Sequence, residues 1–490
     1  MNAADHRLRS TLLAGAGLLL VQLGWILSLA PHYGIDEFDH ALRASSVAAG
    51  HWQPGDDLVS GEDGRGDLIP VRADVARSVR ASCESRPYTG PLNCRPKADL
   101  GNGEVLIASA AARYNPTYYA VVGTVAKSFH GDANLYALRI VSALLCCLLF
   151  MLTLWLALGG ARTLWPLAGM LLAALPTTVY SSTVAAPNGL EMFAGLGVWV
   201  ALGVVVAGPA GRQRRGSAYG VLALSAAVLT NTHTLGPVWL VLILAVTAVV
   251  HGPVRTVRSL WPRRGTEVVL AVAVSAAVAF AVGWIVLSGV NDPATEGTTY
   301  PGSPWPSILR GLVLWPLQTI GAYPLRDDEA PLLVYGLMVT LLGLLVVHAV
   351  RRLGLRSRTT RGIVLTAVIA FAVPAVLTAR TFHQIGAAWQ GRYAAPFVVG
   401  IILLACAALD RHRSRLPRGV VVGGVAVLLL CELVSQWSVM TAQDWDPPPT
   451  VLLLLLALGA AGCWAAATQV FRPAVVPLPV APHEDLVAGR

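Results

Sequence analysis

Three side chains that could carry chemistry, Asp36, Glu37 and His40, follow directly after the first long apolar stretch of the sequence, residues 12–30. A carboxylate at a membrane surface costs free energy unless it is solvated, paired with a cation or bound to a metal. The acidic pair is therefore a candidate proton acceptor or cation ligand. We predict that Asp36 is a catalytic base and that Glu37 is its partner or the alternative base. His40, one helical turn beyond Asp36, should face the same side and contact substrate.

Two other roles compete for the acidic pair. Asp36 and Glu37 are also residue types that stabilise a helix N-terminus, where negative charge is favourable. Together with His40 they could hold a divalent metal such as Mg, Mn or Ca, although the surrounding sequence offers no closed set of ligands. A divalent metal therefore stays an open alternative, and no other cofactor is predicted.

The composition places these residues in a polytopic membrane protein. The 490 residues are 55% hydrophobic and only 13% charged, and the mean hydropathy is +0.61, which excludes a soluble globular chain. Stretches long enough to cross about 30 Å of hydrocarbon predict an all-α fold with about 12 transmembrane helices. They lie at 11–31, 134–159, 163–184, 189–208, 266–289, 331–350, 362–380, 393–409, 419–441 and 451–470, with two more in 217–250, which polar residues and a proline interrupt.

Arginines cluster in alternating loops between the predicted spans, on the side shared with Arg7 and Arg9. They are Arg212, Arg214, Arg215, Arg255, Arg258, Arg263, Arg264, Arg351, Arg352, Arg356, Arg358, Arg361, Arg411, Arg413, Arg415 and Arg418. Short cytoplasmic loops collect such charges, so we predict a multi-pass protein of the plasma membrane with both termini in the cytoplasm. Because these loops carry much of the net charge of +9, we predict the lipid bilayer as a partner and no nucleic acid.

The predicted spans divide the chain into segments, and both long loops face the exported side. The segments are 1–30, the cytoplasmic N-terminus and first transmembrane helix; 31–133, a large exported loop with the acidic motif and short helices; 134–289, transmembrane helices; 290–330, a second exported loop; 331–470, transmembrane helices; and 471–490, a cytoplasmic tail. In the second loop, aromatic side chains could stack on a sugar, but anchoring an interfacial helix over 307–320 is the preferred interpretation.

The large first loop contains Cys83 and Cys94, which we predict to form a disulfide. The exported side of the membrane is oxidising, and residues 87–91 between the two cysteines are typical of a turn. Free thiols or a metal pair are the alternatives, but no further His or Cys cluster accompanies them.

Candidates for binding an anionic substrate lie near the predicted exported ends of the spans. Arg392 is the leading one, because a planar guanidinium can hold two phosphate oxygens at once, and Tyr393 lies beside it. Arg139 and His233 are alternates, and Asn188 begins another span. Each has a structural alternative: Arg392 can extend to the interface, His233 can satisfy backbone groups at a helix break, and Asn188 can cap a helix.

Several short motifs occur together in a definite order along the chain. They are Asp36-Glu37-x-x-His40, Tyr114-Asn115-Pro116-Thr117-Tyr118-Tyr119, Leu135-Tyr136-Ala137-Leu138-Arg139-Ile140-Val141-Ser142, Pro187-Asn188-Gly189-Leu190-Glu191, Ile320-Gly321-Ala322-Tyr323 and Gln390-Gly391-Arg392-Tyr393. In this order they resemble the polytopic membrane family known as domain of unknown function 2142, from about Ala30 to Ala408. That family in turn resembles the GT-C class of membrane glycosyltransferases.

The resemblance implies a chemistry. GT-C enzymes use a lipid-phosphate sugar donor on the exported face, and an acidic residue of the first exported loop serves as base or metal ligand. An inverting glycosyltransferase is thus implied, with a polyprenyl-phosphate sugar donor and a glycan or lipid acceptor, building a cell-envelope glycan or glycoconjugate. In that role Asp36 would take the acceptor proton and Arg392 would offset charge on the departing phosphate.

A secondary transporter or flippase of an envelope precursor is the alternative class, since many spans with both ends inside also suit that architecture. The long polar loop after the first span argues against it, as does the scarcity of acidic residues deep in the membrane. A polymerase or ligase of lipid-linked glycans would favour arginines in the second exported loop, and 290–330 has few.

Overall fold

Helices make up most of the computed structural model, which describes residues 3–53, 58–61, 64–85, 100–207, 212–290, 300–323, 329–443, 445 and 448–469. The helices are α1 (Ala3–Ser28), α2 (Glu37–Ala48), α3 (Ala73–Ser85), α4 (Pro116–Ala126), α5 (Asp132–Leu158), α6 (Trp165–Ala173), α7 (Pro176–Ser181), α8 (Asn188–Ala207), α9 (Arg212–Thr232), α10 (Gly236–His251), α11 (Pro253–Leu260), α12 (Gly265–Leu287), α13 (Trp305–Ile320), α14 (Leu332–Leu353), α15 (Arg358–Ile385), α16 (Ala395–Val398), α17 (Gly400–Arg411), α18 (Arg418–Ala442) and α19 (Pro449–Gln469). The strands are β1 (Leu58–Gly61), β2 (Gly64–Arg72) and β3 (Glu104–Ser109), and a 3-10 turn covers Gly391–Ala394.

In the described part of the chain, nine helical segments are long and apolar enough to span a membrane. They are α1, α5, α8, α12, α14, α15, the segment Gly391–Arg411, α18 and α19. The predicted polytopic helical fold is confirmed. The remaining three of the twelve predicted stretches correspond to α9, α10 and the pair α6 and α7. The predicted span 163–184 is one continuous apolar stretch, but Pro176 begins a new helix within it. Both α6 and α7 are therefore short. The count of 12 therefore stays a prediction.

The first long loop contains more than the short helices that the sequence predicts. Its three strands form an antiparallel sheet in the order β1-β2-β3, which the prediction of an all-helical loop misses. Ile69 and Val71 of β2 are fully buried and pack in one cluster with Phe38 and Leu42 of α2. The opposite side of α2 packs on α4, so nearly every residue of this helix is buried. The sheet thereby holds the acidic motif against the helical bundle.

The bundle has two ends with different contents. One end, here called the site end, carries α2, α13 and the sheet, and the ends of α1 and α18 meet there, where Gln443 accepts a hydrogen bond from the backbone N–H of Ala30 at 2.9 Å. The other, here called the opposite end, gathers arginines. Arg255 donates to the carbonyl of Ala207 at 2.7 Å, and Arg215 pairs with Glu267 at 3.1 Å.

Candidate active site

Asp36 immediately precedes α2 and adopts a left-handed backbone conformation, with φ 54° and ψ 14°. Few residues other than glycine adopt it, and Asp and Asn are among those that do. Its carboxylate makes no capping hydrogen bond to α2. Instead, Oδ2 accepts a hydrogen bond from Nη2 of Arg392 at 3.0 Å, and 31% of the Asp36 side chain is exposed. Helix capping therefore does not account for this residue.

Glu37 has the opposite environment, because its side chain is completely buried. Arg139 donates to both of its oxygens, from Nε at 2.8 Å and from Nη2 at 2.6 Å. The backbone N–H groups of Gly34 and Ala185 donate to the same carboxylate at 3.1 Å and 2.9 Å. Burial alone would raise the pKa of Glu37, but the charge and hydrogen bonds of Arg139 outweigh it and hold that pKa below its ordinary value. Glu37 is thus an ionised, saturated acceptor.

The guanidinium of Arg139 joins three helices. Besides its bonds to Glu37, it donates to the carbonyls of Leu29 and Ala30 just after α1, each at 2.8 Å. These carbonyls lack partners within the helix that they terminate. Each of the three Arg139 nitrogens donates within the protein, so a substrate phosphate would have to displace these bonds. The predicted substrate role of Arg139 stays a prediction that this geometry does not favour.

Arg392 lies in the 3-10 turn that opens the segment before α17. Gly391 allows this turn to approach α13, because a Cβ at that position would overlap the backbone carbonyl of Trp315. Arg392 is 2% exposed, and its Nε has no hydrogen-bond partner among the described residues. Its Nη2 donates to Oδ2 of Asp36 at 3.0 Å. The predicted phosphate ligand Arg392 therefore retains a buried donor beside the partly exposed carboxylate of Asp36.

His40 lies one turn along α2 from Asp36, as predicted, and its backbone N–H donates to the Asp36 carbonyl at 3.2 Å. Its Nδ1 is 2.7 Å from the hydroxyl of Tyr119, and its ring lies 5.6 Å from that of Tyr114. Burial lowers the pKa of His40 to about 4 although Asp36 opposes the shift, so the ring is neutral near pH 7. The two tyrosines were absent from the predicted site, although both belong to one of the motifs in the sequence.

A second group of predicted residues lies where α9, α10 and α8 meet. The ring of His233 stacks on Tyr393 at 5.2 Å, and its Nδ1 accepts the N–H of Leu235 at 3.3 Å. That nitrogen is also 3.9 Å from Oε1 of Glu191. Neither oxygen of this buried carboxylate has a hydrogen-bond partner among the described residues. Asn188 lies one turn earlier on α8 and is 6% exposed. Glu191, in the same motif as Asn188, is the residue that the predicted site omits.

The structure thus brings Asp36, His40, Arg392, Tyr393 and His233 together at the site end. No three His, Cys, Asp or Glu side chains in the described ranges lie close enough to hold a metal ion. Both predicted metal ligands are paired with guanidiniums, which a metal cation would have to displace. The described residues do not fit a divalent-metal site, and we derive no step through one. The predicted Cys83–Cys94 disulfide lies outside the residues described.

Some solved structures are similar to this chain. ArnT from Cupriavidus metallidurans bound to undecaprenyl phosphate matches with a TM-score of 0.41 and 15% identity, covering 88% of this chain and 75% of that chain. ArnT from the same organism in the apo state gives a TM-score of 0.40 and 17% identity, over 88% of this chain and 74% of that chain. The Archaeoglobus fulgidus oligosaccharyltransferase in the apo form gives 0.35 and 12% identity, over 83% of this chain and 55% of that chain.

Comparison with the sequences of curated proteins gives no match. A family model does match: that of the predicted membrane proteins DUF2142, over residues 19–401. The match includes every motif on which the resemblance was based and extends over most of the chain. The protein therefore belongs to the DUF2142 family of membrane proteins, as its motifs predicted.

Proposed function

We propose that the protein is a GT-C-like membrane glycosyltransferase. In this proposal it transfers a sugar from a polyprenyl-phosphate donor to a glycan or lipid acceptor of the cell envelope. The observation that supports it most is the Asp36–Arg392 pair, which sets a partly exposed carboxylate 3.0 Å from a buried guanidinium. Glycosyl transfer from a lipid phosphate needs these two groups, a proton acceptor and a cation for the leaving phosphate.

The proposed reaction is a single displacement that inverts the anomeric carbon. The acceptor hydroxyl gives its proton to the Asp36 carboxylate while its oxygen bonds to that carbon. In the same step the bond from the anomeric carbon to the phosphate oxygen breaks, and the oxygen leaves with the electron pair. Arg392 offsets the charge that develops on this polyprenyl phosphate.

The ion pair itself suggests how substrate activates the base. In the ion pair, the guanidinium of Arg392 donates to the carboxylate of Asp36 that must accept the proton. A donor phosphate can bind the free Nε of Arg392 and compete with Asp36 for the rest of the guanidinium. The carboxylate then becomes available to the acceptor hydroxyl, so donor binding prepares the base before the acceptor reacts.

The reaction requires the site end to face away from the cytoplasm. The arginines at the opposite end support this orientation, because positive loops are retained inside. Cysteines introduced one at a time at Ser60 and Ser303, in a chain whose seven native cysteines are replaced by Ser or Ala, should react with an impermeant thiol reagent in intact cells. Labelling that occurs only after lysis would reverse the orientation and exclude an exported-face mechanism.

Activity can be tested directly with purified protein in liposomes. We expect one of a panel of radiolabelled polyprenyl-phosphate sugars to yield a new glycoside and free polyprenyl phosphate in equal amounts. Each sugar should be offered with an extract of envelope glycans and lipids as acceptors. Movement of a solute or lipid precursor across the bilayer, with no glycosidic bond formed, would instead establish the transporter or flippase alternative.

A further inference from the structure

A cavity of about 370 Å³ opens at the opposite end of the bundle, away from Asp36. It lies where the last turns of α5, α8 and α10 meet α6, α17 and the start of α9. Its volume falls in the range of about 300–1,000 Å³ that is common for small-molecule sites. None of the candidate active-site residues lines it, so the glycosyl-transfer proposal does not explain this cavity.

The rim of this cavity carries more positive than negative charge. The side chains of Arg162, Arg214 and Arg411 line it, together with the carboxylate of Asp410. Oδ1 of Asp410 already accepts the backbone N–H groups of Arg162 and Thr163, at 2.9 Å and 2.7 Å. A single carboxylate engaged in this way leaves the guanidiniums incompletely neutralised, which favours an anionic ligand.

Two donors at the cavity lack partners among the described residues. Arg214 lies directly on Gly160, where any Cβ would overlap its guanidinium, and its Nε makes no hydrogen bond. Trp199, about two turns into α8 from the cavity rim, is 4% exposed, and its indole N–H is also unpaired. Buried donors without partners cost free energy, so their presence beside a cavity indicates a ligand with acceptor oxygens.

Beyond the rim, the wall of the cavity is apolar. Val200, Gly203 and Leu403 line it there, in helices that cross the membrane. A ligand that fits has an anionic head for the arginines and a hydrocarbon chain for the interior. We propose that this cavity binds one anionic phospholipid of the leaflet in contact with the opposite end, with its phosphate at Arg214 and Arg411. Basic pockets between transmembrane helices bind such head groups, and the proposal does not depend on the glycosyl-transfer reaction.

Native mass spectrometry of the delipidated, full-length protein can test this proposal with phosphatidylglycerol and phosphatidylcholine. We expect one phosphatidylglycerol per protein to bind at least about tenfold more tightly than phosphatidylcholine. The double variant Arg214→Gln with Arg411→Gln loses two guanidiniums. Its affinity for phosphatidylglycerol should be about 30-fold lower than that of the wild type. The matched control, Arg351→Gln with Arg352→Gln, removes two exposed charges on α14 away from the cavity and should leave affinity within about twofold.

A second variant tests the cavity without changing charge. Gly203 lines the cavity, and a Cβ there would meet no atom within 4 Å, so Gly203→Leu should place its side chain in the cavity. Gly203→Leu should abolish the preferential binding of phosphatidylglycerol, whereas Gly336→Leu, at an equally open position of α14, should not. Equal binding of both lipids, or equal losses in the two arginine double variants, would overturn the proposal. So would complete displacement of phosphatidylglycerol by inorganic phosphate, or tighter binding of polyprenyl phosphate.

Discussion

Asp36 and Glu37 are adjacent in the sequence, and each pairs with an arginine, but the two pairs have opposite characters. Arg139 and Glu37 are both completely buried, and Arg139 holds both carboxylate oxygens. The Asp36 side chain is 31% exposed, and Arg392 reaches it with one nitrogen at 3.0 Å. The first pair is closed and saturated. The second pair is open in the sense that Asp36 is partly exposed and Nε of the buried Arg392 has no hydrogen-bond partner among the described residues.

The difference shows how one fold assigns separate tasks to neighbouring carboxylates. Glu37 is the first residue of α2, whereas Asp36 precedes it in a left-handed conformation. The two side chains therefore leave the backbone in different directions, Glu37 toward Arg139 of α5 and Asp36 toward Arg392 of the 3-10 turn. A buried pair that bonds to three chain segments fixes their relative positions. An open pair can exchange partners with substrate. We therefore expect loss of Glu37 to reduce stability and loss of Asp36 to reduce turnover.

The largest expected effect is the loss of turnover in Asp36→Asn. Asn tolerates the left-handed conformation and still offers an oxygen to Arg392, but it cannot accept the acceptor proton. Loss of a positioned base should lower the rate of sugar transfer by a factor of roughly 100 to 10,000. Elution volume in detergent and melting temperature should not change.

A suitable control for this variant is Asp74→Asn. Asp74 is 24% exposed and pairs with Arg72 at 2.7 Å, so it matches Asp36 in exposure and partner type but is remote from Arg392. Its transfer rate should stay within roughly twofold of wild type. Full activity in Asp36→Asn would eliminate Asp36 as the base and end the proposed division of tasks.

The next largest effect concerns stability. Glu37→Gln leaves the buried Arg139 without a countercharge, and breaking a buried pair in this way costs about 3–5 kcal/mol. We expect a much lower melting temperature and yield. Removing both partners in Glu37→Gln with Arg139→Met should cost about 1–3 kcal/mol less than the sum of the single changes. If the Glu37→Gln protein melts like wild type but transfers no sugar, the proposal is wrong. Glu37 would then be the catalytic base and Asp36 the structural carboxylate.

The two pairs also show what could be predicted from the sequence. Asp36 and Arg392 are 356 positions apart, yet both were predicted to lie at the exported ends of spans, since helix ends alternate between two membrane surfaces. Which guanidinium meets which carboxylate could not be predicted. Arg139 and Arg392 were both phosphate candidates, and only the packing of α1, α2 and α5 distinguishes them.

Two other features, the sheet and the role of Glu191, could not be predicted from the sequence, each for a local reason. The sheet escaped prediction because β2 contains two glycines and a proline, residues that are depleted in strands. Glu191 was omitted because an acidic residue in the first turn of α8 is explained as well by helix capping. Its closeness to His233 arises from the packing of α8 against α10.

A smaller effect is expected at the other partner of the open pair. Arg392→Lys keeps a positive charge for Asp36 but loses the planar fork that can hold two phosphate oxygens. We expect transfer to fall about tenfold, which corresponds to about 1.4 kcal/mol. The fall should appear in kcat more than in the donor KM, because charge on the phosphate grows in the transition state. Arg392→Gln should be slower still, and equal rates for the two variants would show that charge at this position is not used.

The smallest effect is a pH dependence of stability around the closed pair. His32 and His40 flank it, and burial lowers the pKa of each from 6.5 to about 4, against the pull of Glu37 on His32 and of Asp36 on His40. Between these values the unfolded chain binds protons that the folded protein does not. Stability should therefore be complete above about pH 6.5 and decrease as pH falls toward 4, by about 1 kcal/mol per histidine near pH 5.5.

Melting temperatures measured between about pH 7 and about pH 5 can resolve this contribution. Replacing His32 or His40 by Asn should lower stability at neutral pH but flatten its pH dependence, because the titrating group is gone. Replacing His130, whose side chain is 81% exposed at the same end, by Gln controls for the loss of a histidine outside the core. If the buried-site variants keep the wild-type slope, protonation of these histidines does not destabilise the fold. Glu37 could not supply that slope, because its pKa is lowered from 4.5 and its contribution to stability therefore changes only below the pH range of this measurement.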